Sequence, residues 1–256
     1  MATPKPCEVS LIAHTSFTLP SGMDLGFIKD SSDADSLVEF AGRACYETWD
    51  RPNPHTASNE AYIRHIMEVG HTALLEHPTA TFYIRGLSRG CAHEFMRHRH
   101  LSFSQLSQRF TPDDDINVVV PAEIAKDKQL TVLFLEACDV ARDTFSELLS
   151  SLEKKAPGGA SGRMNALLRQ KQARQAARAV LPSATETRLV ATGNFRTWRH
   201  FIGMRATENA DQEIRHLAIA ILKELQSVAP HAFGDFSVTE LGDGTEVATS
   251  PFVSES

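Results

Sequence analysis

Arg97, Arg99 and Arg109 are gathered in RHRHLSFSQLSQRF, residues 97–110, among hydroxyl and amide side chains and without an acidic residue. That composition binds anions. Guanidinium groups stay charged at any working pH and present a planar fork of donors, which suits phosphate and anionic heterocycles better than lysine does. Ser102, Ser104, Gln105, Ser107 and Gln108 add neutral hydrogen bonds that can fix the orientation of whatever the arginines attract. The whole chain carries a net charge of -6, so these arginines serve a local site and not general nucleic-acid affinity.

The elements that would hold this stretch follow from spacing. Arg89 to Arg99 contains no proline, has Gly90 only near its start and follows Ser88, a suitable N-cap, so it reads as a helix. Beyond it, Gln105, Ser107 and Arg109 fall at every second position and would share one side of an extended segment. The expected picture is a helix ending in two arginines, a loop, and a strand aiming a polar row at the same ligand. HEFMRH, residues 93–98, does not read as a zinc-protease helix, because position 97 is arginine and the second histidine comes one step late. No metal site is expected.

RHRHLSFSQLSQR resembles the signature of the flavin-dependent thymidylate synthases, whose pattern runs RHR, two residues, Ser, then Glu or Gln, Ser, one residue, Arg. Here these are Arg97, His98, Arg99, Ser102, Gln105, Ser107 and Arg109, and the likeness extends from the GH-x4-EH element near residue 70 to the arginine-rich helix ending near residue 216. The resemblance implies FAD as cofactor, with NADPH and methylenetetrahydrofolate as co-substrates, and dUMP as the nucleotide methylated to dTMP. It places His71, Ala73, Arg97, His98, Arg99, Gln105, Asn194, Arg196 and His200 at the flavin. It places Glu94, Arg97, Gln105, Leu106, Ser107, Gln108, Arg109 and Arg178 at dUMP, with Arg205 as the catalytic group at the uracil ring. Many relatives have histidine where this chain has Asn209.

Along the chain, Glu8 to His14 reads as a first strand. Asp33 to Trp49 reads as an amphipathic helix with Leu37, Phe40, Ala41, Ala44 and Cys45 on its apolar stripe. Asn59 to Val69 reads as a second helix ended by Gly70, and Thr79 to Arg85 as a strand rich in β-branched and aromatic residues. Pro121 to Lys155 is strongly helical, with Leu133, Phe134, Ala137, Val140, Ala141, Phe145 and Leu148 as core or subunit-interface material. PGGASG, residues 157–162, lacks the Lys-Ser/Thr ending of a P-loop and follows a helix, so it reads as a connection. A basic helix, Gly162 to Val180, precedes a strand, Thr185 to Thr192, and Lys171 and Arg174 could line the same opening as Arg178. Asn194 is a natural N-cap for the next helical stretch, and the residues after Gln226 read as a trailing strand or loop with a mobile end.

The 256 residues, 42% of them apolar, are read as a single α+β domain, an antiparallel sheet packed with long helices. The resemblance implies a homotetramer with active sites shared between subunits. No hydrophobic run approaches membrane length, and the N-terminus lacks the layout of a secretion signal, so a cytoplasmic enzyme is expected. Cys7, Cys45, Cys91 and Cys138 show no CxxC pairing, and buried packing roles suit them. Two rival readings stand beside the synthase: a nucleic-acid-binding module built on the RHRH run, and a cysteine-dependent nucleotide methyltransferase centred on Cys91.

Overall fold

The computed structural model describes residues 3–23, 25, 31–49, 53–110, 116–155 and 163–253. The expected connection at residues 157–162 and the last three residues of the chain lie outside these. The elements in chain order are β1 (Glu8–His14), α1 (Asp33–Tyr46), α2 (Asn59–Glu68), β2 (Thr79–Ser88), α3 (Arg89–Phe95) and β3 (Ser102–Gln105). They continue with α4 (Ala122–Ala125), α5 (Lys128–Lys155), α6 (Arg163–Ala177), β4 (Glu186–Asn194), α7 (Phe195–Arg205), α8 (Gln212–Val228), α9 (Pro230–Phe233), β5 (Ser237–Glu240) and β6 (Glu246–Thr249).

β1, β2, β4 and β3 lie side by side in that order. The pairing is antiparallel: as β2 advances from Thr81 to Gly86, its partners on β4 recede from Thr192 to Glu186. The α+β reading therefore holds, with a second antiparallel pair in β5 and β6. That hairpin, preceded by α9, replaces the trailing strand or loop expected after Gln226.

The chain forms two compact units, neither contiguous in sequence. The first comprises Met1–Glu8, Arg85–Glu94 and Ser104–Leu189, and the second Val9–Ile84, Phe95–Phe103 and Val190–Ser256. In the first unit, α5 and α6 bury Phe145, Leu149, Ala173 and Ala177 against Ile116 and Leu181. The inward face of α5 is rotated from the one expected: Cys138 is buried with Phe134 and Leu135 against it, whereas Leu133 and Val140 are 63% and 66% exposed.

The core of the second unit is built on α8, which buries Ile214, Leu217, Ala218, Ile221, Leu222 and Leu225, and on aromatic residues of α7. Phe82, Phe95, Phe103, Trp198 and Phe201 meet there, mostly edge to face. α1 departs from its expected stripe, since Ala44 and Cys45 are exposed and the buried face carries Asp35, Glu39 and Arg43. Those polar groups satisfy one another. Arg43 Nε donates to Glu39 at 2.7 Å, Asn59 donates to the other Glu39 oxygen at 2.8 Å, and the Asp35 carboxylate accepts the His231 and Ala232 amides at the start of α9. A helix face judged by apolar residues alone misses such a network, because mutual pairing removes the cost of burying its members.

Candidate active site

In the first unit, Ser88 caps α3 as expected, its hydroxyl accepting the Cys91 amide at 3.0 Å. The helix stops at Phe95, short of the predicted Arg99. Phe95 is fully buried in the second unit's aromatic cluster, and the backbone turns there, with the His98 amide donating to the Phe95 carbonyl. Arg97 and Arg99 therefore lie beyond the helix, both exposed. The extended row is also shorter than expected. β3 ends at Gln105, the Leu106 amide still donates to the Arg188 carbonyl, and Ser107 to Phe110 then close a turn. Arg109 thus sits in the turn, its guanidinium 6.0 Å from the Phe110 ring, with the Lys171 ammonium 5.3 Å from the same ring.

Two features of this unit suit a polar, anionic ligand. The buried Nε2 of Gln105 has no hydrogen-bond partner among the described residues, so this donor is open to an acceptor from water or from a ligand. Burial first, and the Arg178 guanidinium second, push Arg89 below its usual range, so two cationic groups face each other. Arg89 was not singled out in the sequence; its adjacency to Arg178 needs the turn from α6 into Arg178–Val180, which spacing does not reveal. Glu94, Leu106, Ser107 and Gln108 also belong to this unit.

In the second unit, α2 ends at Gly70, whose φ of +76° is the left-handed conformation that glycine adopts without strain. The His71 amide reaches back to the Ile66 carbonyl at 2.8 Å, and the chain enters the short helical turn Thr72–Glu76. This delivers His71, Thr72, Ala73 and Leu74 to a cavity of about 380 Å³, also lined by Gly42, Cys45, Tyr46, Tyr62, Gly70 and Arg196. Three of the residues expected at the flavin, His71, Ala73 and Arg196, are thereby brought to one cavity.

Gly42, Tyr46 and Tyr62 were missed. The available signal was positional, since Gly42, Cys45 and Tyr46 follow i, i+3, i+4 spacing on α1. Gly42 has a steric reason to be glycine: a Cβ there would stand 2.0 Å from the Tyr62 hydroxyl and 2.8 Å from Leu74.

Asn194 caps α7, accepting the Thr197 amide at 2.9 Å. Arg196 pairs with Glu76 at 2.5 Å, both half exposed. At the other end of α7, Arg205 Nε donates to His98 Nε2 at 3.0 Å. The His98 ring stands edge-on to Phe201 at 5.0 Å, and His200 lies 6.2 Å away. Burial above all, then Arg205 and His200, lower the His98 pKa to about 4, so this imidazole is neutral at physiological pH. α7 ends at Arg205, and exposed Asn209 lies in the turn before α8 instead of one helical turn further on.

The first unit thus holds an orphaned amide donor at Gln105 and the cation pair Arg89 and Arg178, and the second a cavity of about 380 Å³. The fold is similar to that of a UMP/dUMP methylase, PolB, from Streptomyces cacaoi bound with 5-Br dUMP. The TM-score is 0.67 at 21% identity, covering 91% of this chain and 96% of that one. The family model described as thymidylate synthase complementing protein matches residues 27–231. Flavin-dependent thymidylate synthases from Corynebacterium diphtheriae and Corynebacterium glutamicum are 58% identical over 255 residues and 60% identical over 253. The first alignment covers 100% of both chains, the second 99% of each. One from Mycobacterium sp. (strain JLS) is 56% identical over 255 residues, again covering 100% of both. This chain belongs to the flavin-dependent thymidylate synthase family.

Proposed function

We propose that this chain catalyses the reductive methylation of dUMP to dTMP, with the methylene of methylenetetrahydrofolate becoming the new methyl group. The observation that best supports the cofactor half is the cavity that gathers His71, Ala73 and Arg196. Its tyrosines offer faces for a planar ring system, and Arg196 can exchange its exposed ion pair with Glu76, worth little in water, for an anionic group. These residues fit FAD. FAD, reduced by NADPH, supplies the hydride when bound. Asn194 and His200 on α7, with Arg97, His98, Arg99 and Gln105, complete the proposed flavin contacts.

dUMP recognition falls to Glu94, Arg97, Gln105, Leu106, Ser107, Gln108, Arg109 and Arg178. Arg109 and Arg178 serve the phosphate, whose negative charge would relieve the repulsion between Arg178 and Arg89. Gln105 Nε2 donates to the nucleotide and so gains the acceptor it lacks. Arg205 stabilises the N3 anion of the uracil ring. That raises electron density at C5, which would attack the methylene carbon as its bond to a folate nitrogen breaks, the C5 proton then being lost and the hydride completing the methyl group, with no enzyme thiolate needed. Cys91, the rival nucleophile, is only 7% exposed in α3.

Leu130, Val132, Leu133 and Val140 leave an exposed apolar face on α5, and such a patch suits contact between subunits. We assign it to a homotetramer in which several subunits build each active site; sedimentation at a single-subunit mass would contradict this. Among the described residues, no helix is long and apolar enough to cross a membrane.

The deciding experiment is the visible absorption spectrum of the purified protein, followed by anaerobic NADPH with and without dUMP. An oxidised-flavin spectrum that bleaches, faster with dUMP, supports this reading; failure to retain FAD after incubation and removal of the excess overturns it. Arg109→Ala is expected to weaken dUMP binding by about 1.5–3 kcal/mol, as loss of a charge-assisted contact does. Equilibrium titration with dUMP checks this, and unchanged affinity removes Arg109 from the site. Gly42→Ala should push the Tyr62 ring into the cavity and weaken FAD binding by an amount typical of overpacking, about 1–3 kcal/mol. A fluorescence titration of the apoprotein with FAD measures that loss.

A further inference from the structure

We propose that Val253 is a positioning residue: seated on Gly203, it completes a strap, Ala248–Val253, that fixes the end of α7 from which Arg205 projects. The inference rests on the assignment of Arg205 to the uracil ring. Glycine is unfavourable inside a helix relative to alanine, so Gly203 needs a reason. The reason is contact: a Cβ there would stand 2.3 Å from Val253 Cγ1 and 3.2 Å from Val253 Cβ. Glycine leaves the seat that the valine fills. The strap has two further holds. The Ala248 amide donates to the Ala206 carbonyl at 2.8 Å, one residue past the end of α7. The Ser250 hydroxyl donates to the Asp235 carboxylate, which also receives the fork of Arg199, and Arg199 Nη2 reaches the same hydroxyl at 3.4 Å. A turn then brings Val253 back to the helix, with the Phe252 amide donating to the Ser250 hydroxyl oxygen at 3.0 Å and an antiparallel bridge joining Ser250 to Val253.

Arg199, Gly203 and Ala206 follow i, i+4, i+7 spacing and share one face, so the strap grips α7 along a single side. Arg205, two residues past Gly203, projects from roughly the opposite side at about 3.6 residues per turn. The helix is thus held from behind. The hold matters because the last turn of a helix leaves carbonyls without intrahelical partners and is the turn that frays. A site residue at the final helical position inherits that motion, and a misplacement of about 1 Å can cost a positioned group about 100-fold in rate. The strap restrains the backbone that carries Arg205, and so acts independently of the contacts of its side chain, His98 Nε2 among them.

Val253→Gly empties the seat and Gly203→Ala obstructs it. Each is expected to lower kcat per bound flavin by about tenfold at saturating dUMP, methylenetetrahydrofolate and NADPH, as loosening of a positioned group does. The double variant Gly203→Ala/Val253→Gly moves the filling methyl from strap to helix and should recover most of that loss. Wild-type kcat in both flavin-loaded single variants overturns the proposal even if their stability falls, and so does a double variant no faster than the slower single. Native-state hydrogen exchange of the purified wild type decides the matter even if no variant folds. The buried Ala206 and Ala248 amides should open together; free exchange at Ala248 while Ala206 stays protected would show the strap leaving without the helix end, and the proposal falls. A wild type that retains no FAD defeats the reading beneath, whereas indifferent variants of a flavin-loaded enzyme defeat the strap alone.

Discussion

Replacing Arg205 with alanine is expected to lower dTMP formation by about 10²–10³-fold, the loss seen when one preorganised charge facing a developing anion is removed. FAD content should be unchanged, because Arg205 is absent from the cavity lined by His71, Ala73 and Arg196. The loss should fall on kcat more than on the affinity for dUMP, since in the proposed role Arg205 meets charge that grows only as the ring reacts. Folding should be spared as well: Arg205 is the last residue of α7 and only partly buried. Single-turnover formation of dTMP from pre-reduced enzyme measures the effect, and wild-type-like turnover would remove Arg205 from the mechanism.

The second large effect lies in a residue outside the proposed site. Arg199→Ala should destabilise the protein by about 3–5 kcal/mol, the range for breaking one side of a buried ion pair. Arg199 is 4% exposed and forks onto Asp235 with contacts of 2.6 and 2.7 Å, while also donating to the Ala232 carbonyl. Its guanidinium lies 4.8 Å from the Phe236 ring. Alanine would leave the Asp235 carboxylate, 10% exposed, with the Ser250 hydroxyl but without its cation. The helix affected is the one carrying Asn194, Arg196, His200 and Arg205, so flavin retention should fall along with stability. Urea unfolding of the FAD-free variant against FAD-free wild type isolates the stability change, and a shift below 1 kcal/mol would contradict the pairing.

Caps and strands were the most legible parts of the sequence, because they depend on neighbours within a few residues. Ser88 and Asn194 cap the helices they were expected to cap, and Gly70 ends α2. The helix read through Arg99 instead stops at Phe95 for a tertiary reason, the burial of that ring among Phe103, Trp198 and Phe201. Local propensity contains no trace of that cluster.

The site divides the same way. Arg97 to Arg109 could be read as an anion-binding composition because they are adjacent in sequence. His98 and Arg205 are 107 residues apart, and only the fold brings the ring of one to the side chain of the other. α1 gave the opposite lesson: Asp35, Glu39 and Arg43 look like a solvated face by type, yet they are buried because each finds its partner on another element or one turn away.

The interleaving of the two units has a consequence for biosynthesis. The chain passes from one unit to the other at five places, after Glu8, Ile84, Glu94, Phe103 and Leu189. A ribosome making this chain releases β1, α1 and α2 long before α7 and α8, which supply most of the core those elements need. The second unit therefore cannot close until Val190–Ser256 has emerged, and the early segments wait with apolar surface uncovered. Closure of the second unit is expected to be a late event sensitive to chaperone supply, and in nascent chains truncated before Val190 the α1 and α2 segments should remain open to protease.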